Sequence, residues 1–132
     1  MQAIVIADDD RLYRRIHPTF FRKDGSVSSH AFKLGKFPDD QISVDLARLT
    51  MPSKARMLGN SPPYPLGCFP FRITRSLGFT FRYNPLPDAE EPNVTNPAHC
   101  LLLGENDDTK CDELADEVNK SVHFRPPPRG KR

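Results

Sequence analysis

The sequence contains no tryptophan, only three cysteines and no long apolar segment. Its longest uninterrupted apolar runs cover residues 3–7 and 100–103, whereas a helix needs about 20 apolar residues to cross a bilayer. The first residues also lack the apolar centre of a secretory signal. Three cysteines without paired spacing predict no disulfide framework. These absences exclude membrane-spanning and disulfide-stabilised secreted classes, and they predict a cytoplasmic protein that contacts no membrane.

Proline, by contrast, is abundant, with 14 residues in a chain of 132, about twice the usual share of ~5%. Because proline lacks a backbone donor and restricts the residue before it, the proline-rich residues 52–65 and 85–97 are predicted to be irregular. The length fits one domain of ~100–150 residues. We expect a single domain over residues 1–122 and a mobile, basic, proline-rich tail over residues 123–132.

Charge is unevenly distributed along the chain. Residues 1–83 carry a net charge of +6, residues 84–119 carry −9, and residues 120–132 carry +5. Such segregation has two interpretations. Either one surface faces an oppositely charged partner, or the acidic stretch folds against the basic parts and neutralises them.

Short apolar and alternating segments predict strands. Strands are expected over residues 2–8, 42–46, 68–74, 78–83 and 98–103. The chain is predicted to turn helical near Arg48, after the second of these. Residues 11–16 fit either a helix that follows three aspartates or another strand. The short link at residues 75–77 predicts a hairpin, with Pro70 on an edge strand.

Two further local signals complete the prediction of the fold. Asp24-Gly25 predicts a hairpin turn between strands over residues 19–22 and 27–33. Residues 109–122 predict a helix that Thr109 caps together with Asp112. Its apolar stripe comprises Cys111, Leu114, Ala115, Val118 and Val122. The fold class is therefore α+β, with an antiparallel or mixed sheet.

The first candidate site lies at Arg14, Arg15 and His17. On a strand Arg14 and Arg15 point to opposite faces, so one of them could enter a cleft beside His17. Arginine binds phosphate or carboxylate in a bidentate manner, and histidine transfers protons near neutral pH. The alternative is a charged edge strand with a surface histidine.

Two further candidates are the pair Ser28 and His30, and His99. Ser28 and His30 share a face if residues 27–33 form a strand. His99 follows a proline-marked turn and enters a buried strand. It is either a site residue or a histidine bonded to a loop carbonyl. Cys-x-x-Cys and His-x-x-x-His spacings are missing, so neither a metal nor any other cofactor is predicted.

Basic residues outside these clusters are candidates for binding. Arg72 and Arg82 would share the solvent face of the predicted hairpin, where arginines usually serve solvation and less often bind an anion. The tail supplies Arg125, Arg129, Lys131 and Arg132.

Four segments together resemble a family of small bacterial proteins of uncharacterised activity. They read LYRRIHP from Leu12, VSSHAF from Val27, ISVD from Ile42 and NPAH from Asn96. The resemblance covers most of residues 11–119 and implies a bacterial, cytoplasmic protein. Tyr13-Arg14 followed by a serine-containing strand is also similar in order to ADP-ribosyltransferase-type folds. A clear Glu-x-Glu equivalent is missing.

Three functions fit these observations. The first is a binding or accessory protein of a bacterial multiprotein system, possible types being defence or toxin–antitoxin, which contacts a protein partner or nucleic acid through segregated charge. The second is a small enzyme acting on a phosphate-bearing substrate, such as a nucleotide or nucleic acid. Arg14 or Arg15 would hold the phosphate, and the acid or base would be His17, His30 or His99. The third is an inhibitor whose acidic stretch mimics nucleic acid.

Overall fold

The structure, a computed structural model, describes residues 4–33, 41–55, 64–85 and 96–124. These residues contain six strands and three α-helices. The strands are β1 (Arg11–Arg15), β2 (Gln41–Leu46), β3 (Leu66–Pro70), β4 (Thr80–Tyr83), β5 (His99–Leu103) and β6 (Val122–His123). The helices are α1 (Pro52–Ala55), α2 (Phe71–Ser76) and α3 (Asp108–Val118). Short 3₁₀ turns cover Pro18–Phe20, Ser29–Phe32 and Ala47–Leu49.

All six strands form one sheet in the order β4-β5-β2-β1-β3-β6. Each neighbouring pair is antiparallel. The predicted α+β class with an antiparallel sheet is thereby confirmed. Val122 and His123 form a short strand at one margin, so His123 belongs to the sheet and not to the predicted tail. The tail from residue 125 onward lies outside the described residues.

The main hydrophobic core lies between α3 and one face of the sheet, which we call the first face. Helix α3 buries four of the five residues of the predicted stripe, Cys111, Leu114, Ala115 and Val118. Opposite them, strands contribute buried residues such as Leu12, Val44, Phe69 and Leu102. Val118 lies so close to β3 that a Cβ at Gly67 would come within 2.5 Å of its Cγ1. Glycine at position 67 therefore allows α3 and β3 to pack closely against each other.

Strand β3 ends at Pro70, and the chain continues as helix α2. The predicted strand over residues 68–74 is therefore correct only as far as Pro70, and the predicted hairpin is wrong because β3 and β4 are not neighbours in the sheet. Pro70 is not on an edge strand either, because β3 lies between β1 and β6. Since β6 pairs only with Leu66 and Gly67, it does not reach Pro70.

The predicted strand over residues 2–8 is also wrong in its described part, because residues 4–8 have no regular secondary structure. Residues 8–10, just before β1, cap α2 instead. The carbonyls of Asp10 and Asp8 accept hydrogen bonds from the N–H groups of Phe71 and Arg72. These are two of the donors that every helix start leaves unpaired.

Local predictions elsewhere succeed in part. Residues 11–15 form a strand, the second of the two alternatives. The turn at Asp24-Gly25 forms and joins Phe21 to Val27 by an isolated antiparallel bridge, but 3₁₀ turns replace the flanking strands. Helix α3 is capped by Asp107, whose side chain accepts from the N–H of Lys110, and not by Thr109.

Candidate functional site

The second face of the sheet carries a transverse line of polar side chains, one from each of four adjacent strands and one just after β4. The register places Cys68 beside Tyr13, Tyr13 beside Asp45, and Asp45 beside His99. Asn84, the residue after β4, donates its N–H to the His99 carbonyl and extends the line. Residues paired across strands share a face. We call these five residues the polar row.

Asp45 lies in the middle of the polar row and is 1% exposed. Its Oδ2 accepts a hydrogen bond of 2.5 Å from Arg15 Nη1, and its Oδ1 accepts one of 2.7 Å from Asn96 Nδ2. Arg15 Nη1 also donates to the Ala55 carbonyl of α1. A buried carboxylate is tolerated only when it is paired and hydrogen-bonded, and both conditions are met here.

His99 is 7% exposed, and its Nδ1 lies 2.8 Å from the Asn84 carbonyl oxygen. Nδ1 also lies 3.3 Å from Asn84 Nδ2, but the contact with the carbonyl is shorter, and because a carbonyl only accepts, this contact assigns the proton to Nδ1. In the neutral ring Nε2 is then an acceptor, and no described residue donates to it. The structure thus shows the second of the two predicted alternatives, a histidine bonded to a backbone carbonyl, and leaves its other nitrogen open.

Tyr13 is the second residue of the row with an open polar atom, because no described residue hydrogen-bonds its hydroxyl. Its ring meets the His123 ring edge-on, with centroids 5.8 Å apart. Burial, and to a smaller extent the neighbouring Cys68, raises the pKa of Tyr13. Tyr13 is therefore a neutral phenol at physiological pH. Cys68 in turn accepts a hydrogen bond from Arg11 Nε.

Arg14 and Arg15 point to opposite faces, as a strand requires. Arg14 Nε and Nη2 donate to the Ala31 carbonyl, and Nη1 donates to the Ser43 carbonyl at 2.8 Å. The Arg14 guanidinium also lies 5.8 Å from the centre of the Phe32 ring. This arginine joins β2 to the 3₁₀ turn after residue 28. Its donors serve the fold, so it does not share a site with Arg15.

The other predicted catalytic side chains cap local turns. His17 Nδ1 accepts from the N–H of Thr19, and the His17 ring lies against Tyr64. Ser28 Oγ accepts from the N–H of His30 and lies 2.9 Å from His30 Nδ1. In the described part of the chain, no contact joins His17, His30 and His99 to one another. Of the five predicted catalytic residues, only Arg15 and His99 border the same group, Asp45.

Arg72 and Arg82 do not share a face of a hairpin. Arg72 lies on α2 and Arg82 on β4, and both are exposed. The remaining predicted binding residues, Arg125, Arg129, Lys131 and Arg132, lie outside the described residues.

Sequence reasoning did not select Asp45, Asn96, Tyr13 or Asn84 as site residues. The available signal was Asp45 itself, an acid in an otherwise apolar strand segment, Val44 to Leu46. Asn96 belongs to the segment NPAH that carried the resemblance, but its partner Asp45 is 51 positions away.

The outward side of α3 carries a second polar feature, formed by carboxylates. Asp108, Asp112, Glu113 and Asp116 are exposed, and we call them the acidic face. Lys33 pairs with Asp108 at 2.6 Å and lowers the pKa of that carboxyl. The other three form no ion pair with any described residue.

The Cys100 thiol lies in the core on the first face and is fully buried. Burial, together with the charge of Asp45, raises its pKa from 9.0 to about 12. Because the folded pKa is raised, its contribution to stability is complete below pH 9 and is lost as the pH rises toward 12. The difference corresponds to about 4 kcal/mol.

We therefore expect wild type to lose stability more steeply above pH 9 than Cys100→Val, which keeps a similar volume and does not titrate. Urea unfolding at pH 7, 9 and 11 checks this. Parallel pH profiles for the two proteins would contradict the assignment.

No group of three or more His, Cys, Asp or Glu side chains within the described ranges has the arrangement of a metal site. Among the same residues, no helix has the length and apolar character needed to cross a membrane.

Comparisons of the chain with protein-family models, with curated proteins and with solved structures give no match. The bacterial-family resemblance and the ADP-ribosyltransferase analogy therefore remain predictions. The acidic face and the polar row are the two features that bear on function.

Proposed function

We propose that this protein is a binding or accessory protein that contacts a basic surface of a protein partner through the acidic face of α3. The observation that supports this function is the exposure of Asp112, Glu113 and Asp116 without any described ion pair. The segregated charge had two interpretations, and the exposure of these carboxylates favours an outward-facing surface over internal neutralisation.

Among the described residues, only Lys33 forms an ion pair with this acidic face, and the two lysines near the ends of α3 make other contacts. Lys110 donates to the Glu105 carbonyl and lies 5.1 Å from the centre of the Phe79 ring. Lys120 pairs with Glu117, which is not part of the face. A row of carboxylates repels nucleic acid, so a protein with a basic surface is the matching partner. Complementary charge of this kind raises association rates and is weakened by salt.

The test is a pull-down from the native host with tagged wild-type protein, at low and at moderate salt. We expect a stoichiometric protein that is captured at low salt and lost as salt rises. Once it is identified, its affinity should fall at least about tenfold, or ~1.4 kcal/mol, for Glu113→Lys combined with Asp116→Lys.

Glu113→Lys is also measured alone, and its matched control is Asp9→Lys. Asp9 is exposed as well, and the two substitutions change the net charge by the same amount. If Asp9→Lys and Glu113→Lys weaken binding of the partner equally, the effect comes from net charge alone. The acidic face is then not the binding surface. Captured nucleic acid without protein would favour the basic tail instead.

A second candidate function is a small enzyme acting on a phosphate-bearing substrate at the polar row. It is supported by the Nε2 atom of the buried His99, which has no hydrogen-bond partner among the described residues and lies beside the Arg15–Asp45 pair. Titration with nucleoside monophosphates should shift the NMR signals of the His99 ring, and His99→Gln should abolish binding while remaining folded. Unchanged ring signals at millimolar nucleotide, or equal binding by His99→Gln, would reject this candidate.

A further inference from the structure

The outer edge of β4 exposes a short line of backbone donors and acceptors. In an antiparallel ladder, residues alternate between those that bond to the neighbouring strand and those that face away. The Asn84 N–H bonds to the His99 carbonyl at 3.0 Å. The register then assigns Arg82 and Thr80 to the bonded positions opposite Leu101 and Leu103.

Phe81 and Tyr83 consequently direct their N–H and C=O groups away from β5. The other side of β5 confirms this alternation, because the Leu46 N–H bonds to the Ala98 carbonyl across the β2 ladder. No described residue bonds to the outward groups of Phe81 and Tyr83. We call these four backbone groups the open edge.

The side chains of β4 keep the open edge in one position. Phe81 packs edge-on against Phe71 of α2, with ring centroids 5.8 Å apart. The Tyr83 hydroxyl donates to the Pro97 carbonyl at 2.7 Å. Both side chains lie on the first face and are half-buried, whereas Thr80 and Arg82 are exposed on the second face. An edge that is already ordered loses little entropy when a partner strand pairs with it.

We propose that the open edge of β4 accepts an extended segment of a protein partner as a seventh, antiparallel strand. Strand addition draws affinity from main-chain hydrogen bonds and specificity from alternating side chains. The residues opposite Phe81 and Tyr83 would lie on the first face beside two aromatic rings. The residue between them would lie opposite Arg82. The recognised pattern is therefore apolar–acidic–apolar.

A second copy of this chain fits the open edge less well. A two-fold arrangement that uses all four open groups pairs Phe81 with Tyr83 of the other copy, and it places the two Arg82 side chains directly opposite each other. That position is a non-hydrogen-bonded pair, where Cα atoms are only about 4.5 Å apart. Like charges at such a position are destabilising, whereas a glutamate there would pair with Arg82. The open edge is a surface other than the acidic face, and strand addition there does not depend on a partner at the acidic face.

The probe is a short blocked peptide in which a glutamate lies between two valines. Amide hydrogen exchange of Phe81 and Tyr83, followed by NMR, is the readout. In the free protein both amides should exchange rapidly, since no residue that the structure describes accepts from them. Saturating peptide should slow both at least about tenfold, while the Arg82 amide, already bonded to β5, should change little.

Two control peptides separate backbone pairing from other contacts. Methylation of both valine nitrogens removes the donors opposite Phe81 and Tyr83 and should abolish protection. Lysine in place of glutamate should weaken binding to wild type and strengthen binding to Arg82→Glu. Glu113→Lys should bind the peptide as wild type does, so failure at the acidic face and failure at the open edge are distinguishable.

Three results would overturn the proposal. One is slow exchange of Phe81 and Tyr83 in the dilute free protein, and another is equal binding of the methylated peptide. The third is protection that rises with protein concentration in the absence of peptide, which would assign the edge to a second copy of the chain.

Discussion

Asp45→Ala is expected to lower the free energy of unfolding by about 3–5 kcal/mol, the usual cost of removing one partner of a buried ion pair. The substitution leaves Arg15 Nη1 and Asn96 Nδ2 without the carboxylate that both now bond. Asn96 is 3% exposed, so water does not readily replace the lost acceptor. Urea unfolding at neutral pH measures the change.

The control is Asp9→Ala, an exposed aspartate whose loss should change stability by less than about 0.5 kcal/mol. Replacing both charges, with Arg15→Met and Asp45→Leu, should cost less than the sum of the single changes, because neither charge is then left buried alone. Additive effects, or a loss below about 1 kcal/mol for Asp45→Ala, would mean that the pair contributes little.

Gly67→Ala is expected to destabilise the protein by about 1–3 kcal/mol through overpacking. The new Cβ would lie 2.5 Å from Val118 Cγ1 and 2.8 Å from Ile16 Cδ1. Val118 and Ile16 are both essentially unexposed, and the branched side chain of Val118 has little rotamer freedom on a helix. Thermal or urea unfolding gives the size of the effect.

A compensating variant tests whether the contact with Val118 is the cause. Val118→Ala alone leaves a cavity, but together with Gly67→Ala it makes room for the added methyl group. The double variant should therefore be more stable than the sum of the single losses predicts. If the stability losses of the two single variants simply add, the contact with Val118 is not the cause. Ile16 would then be the next side chain to truncate.

The sequence predicted those parts of the fold in which local patterns have one interpretation. Helix α3 has an unbroken stripe at helical spacing, and β2, β4 and β5 are short segments between turn signals. The same reasoning fails for residues 71–74, which form part of α2. Phe69, Phe71 and Ile73 alternate as in a strand, yet the chain becomes helical after Pro70, where carbonyls of residues 8 and 10 cap the helix.

The candidate sites were predictable to a smaller extent. Alternation predicted that Arg14 and Arg15 would point to opposite faces, but only tertiary contacts decide which face holds a site. Asp45 joins Arg15 and Asn96, which are 30 and 51 positions away from it. No local pattern encodes such a pairing. The exposure of the acidic face likewise depends on where the lysines fold, whereas the charge sum of the segment is visible in the sequence.

The strand order also bears on how this chain is completed during synthesis. Strand β5 lies between β2 and β4, so β4 has no neighbour in the sheet until residues 99–103 have left the ribosome. Strand β3 gains its second neighbour, β6, and its packing against α3 later still. A nascent chain that ends near residue 85 therefore presents both β3 and β4 incompletely paired. Unpaired strand edges promote aggregation, so products of this protein that end near residue 85 are expected to aggregate more readily than the full chain.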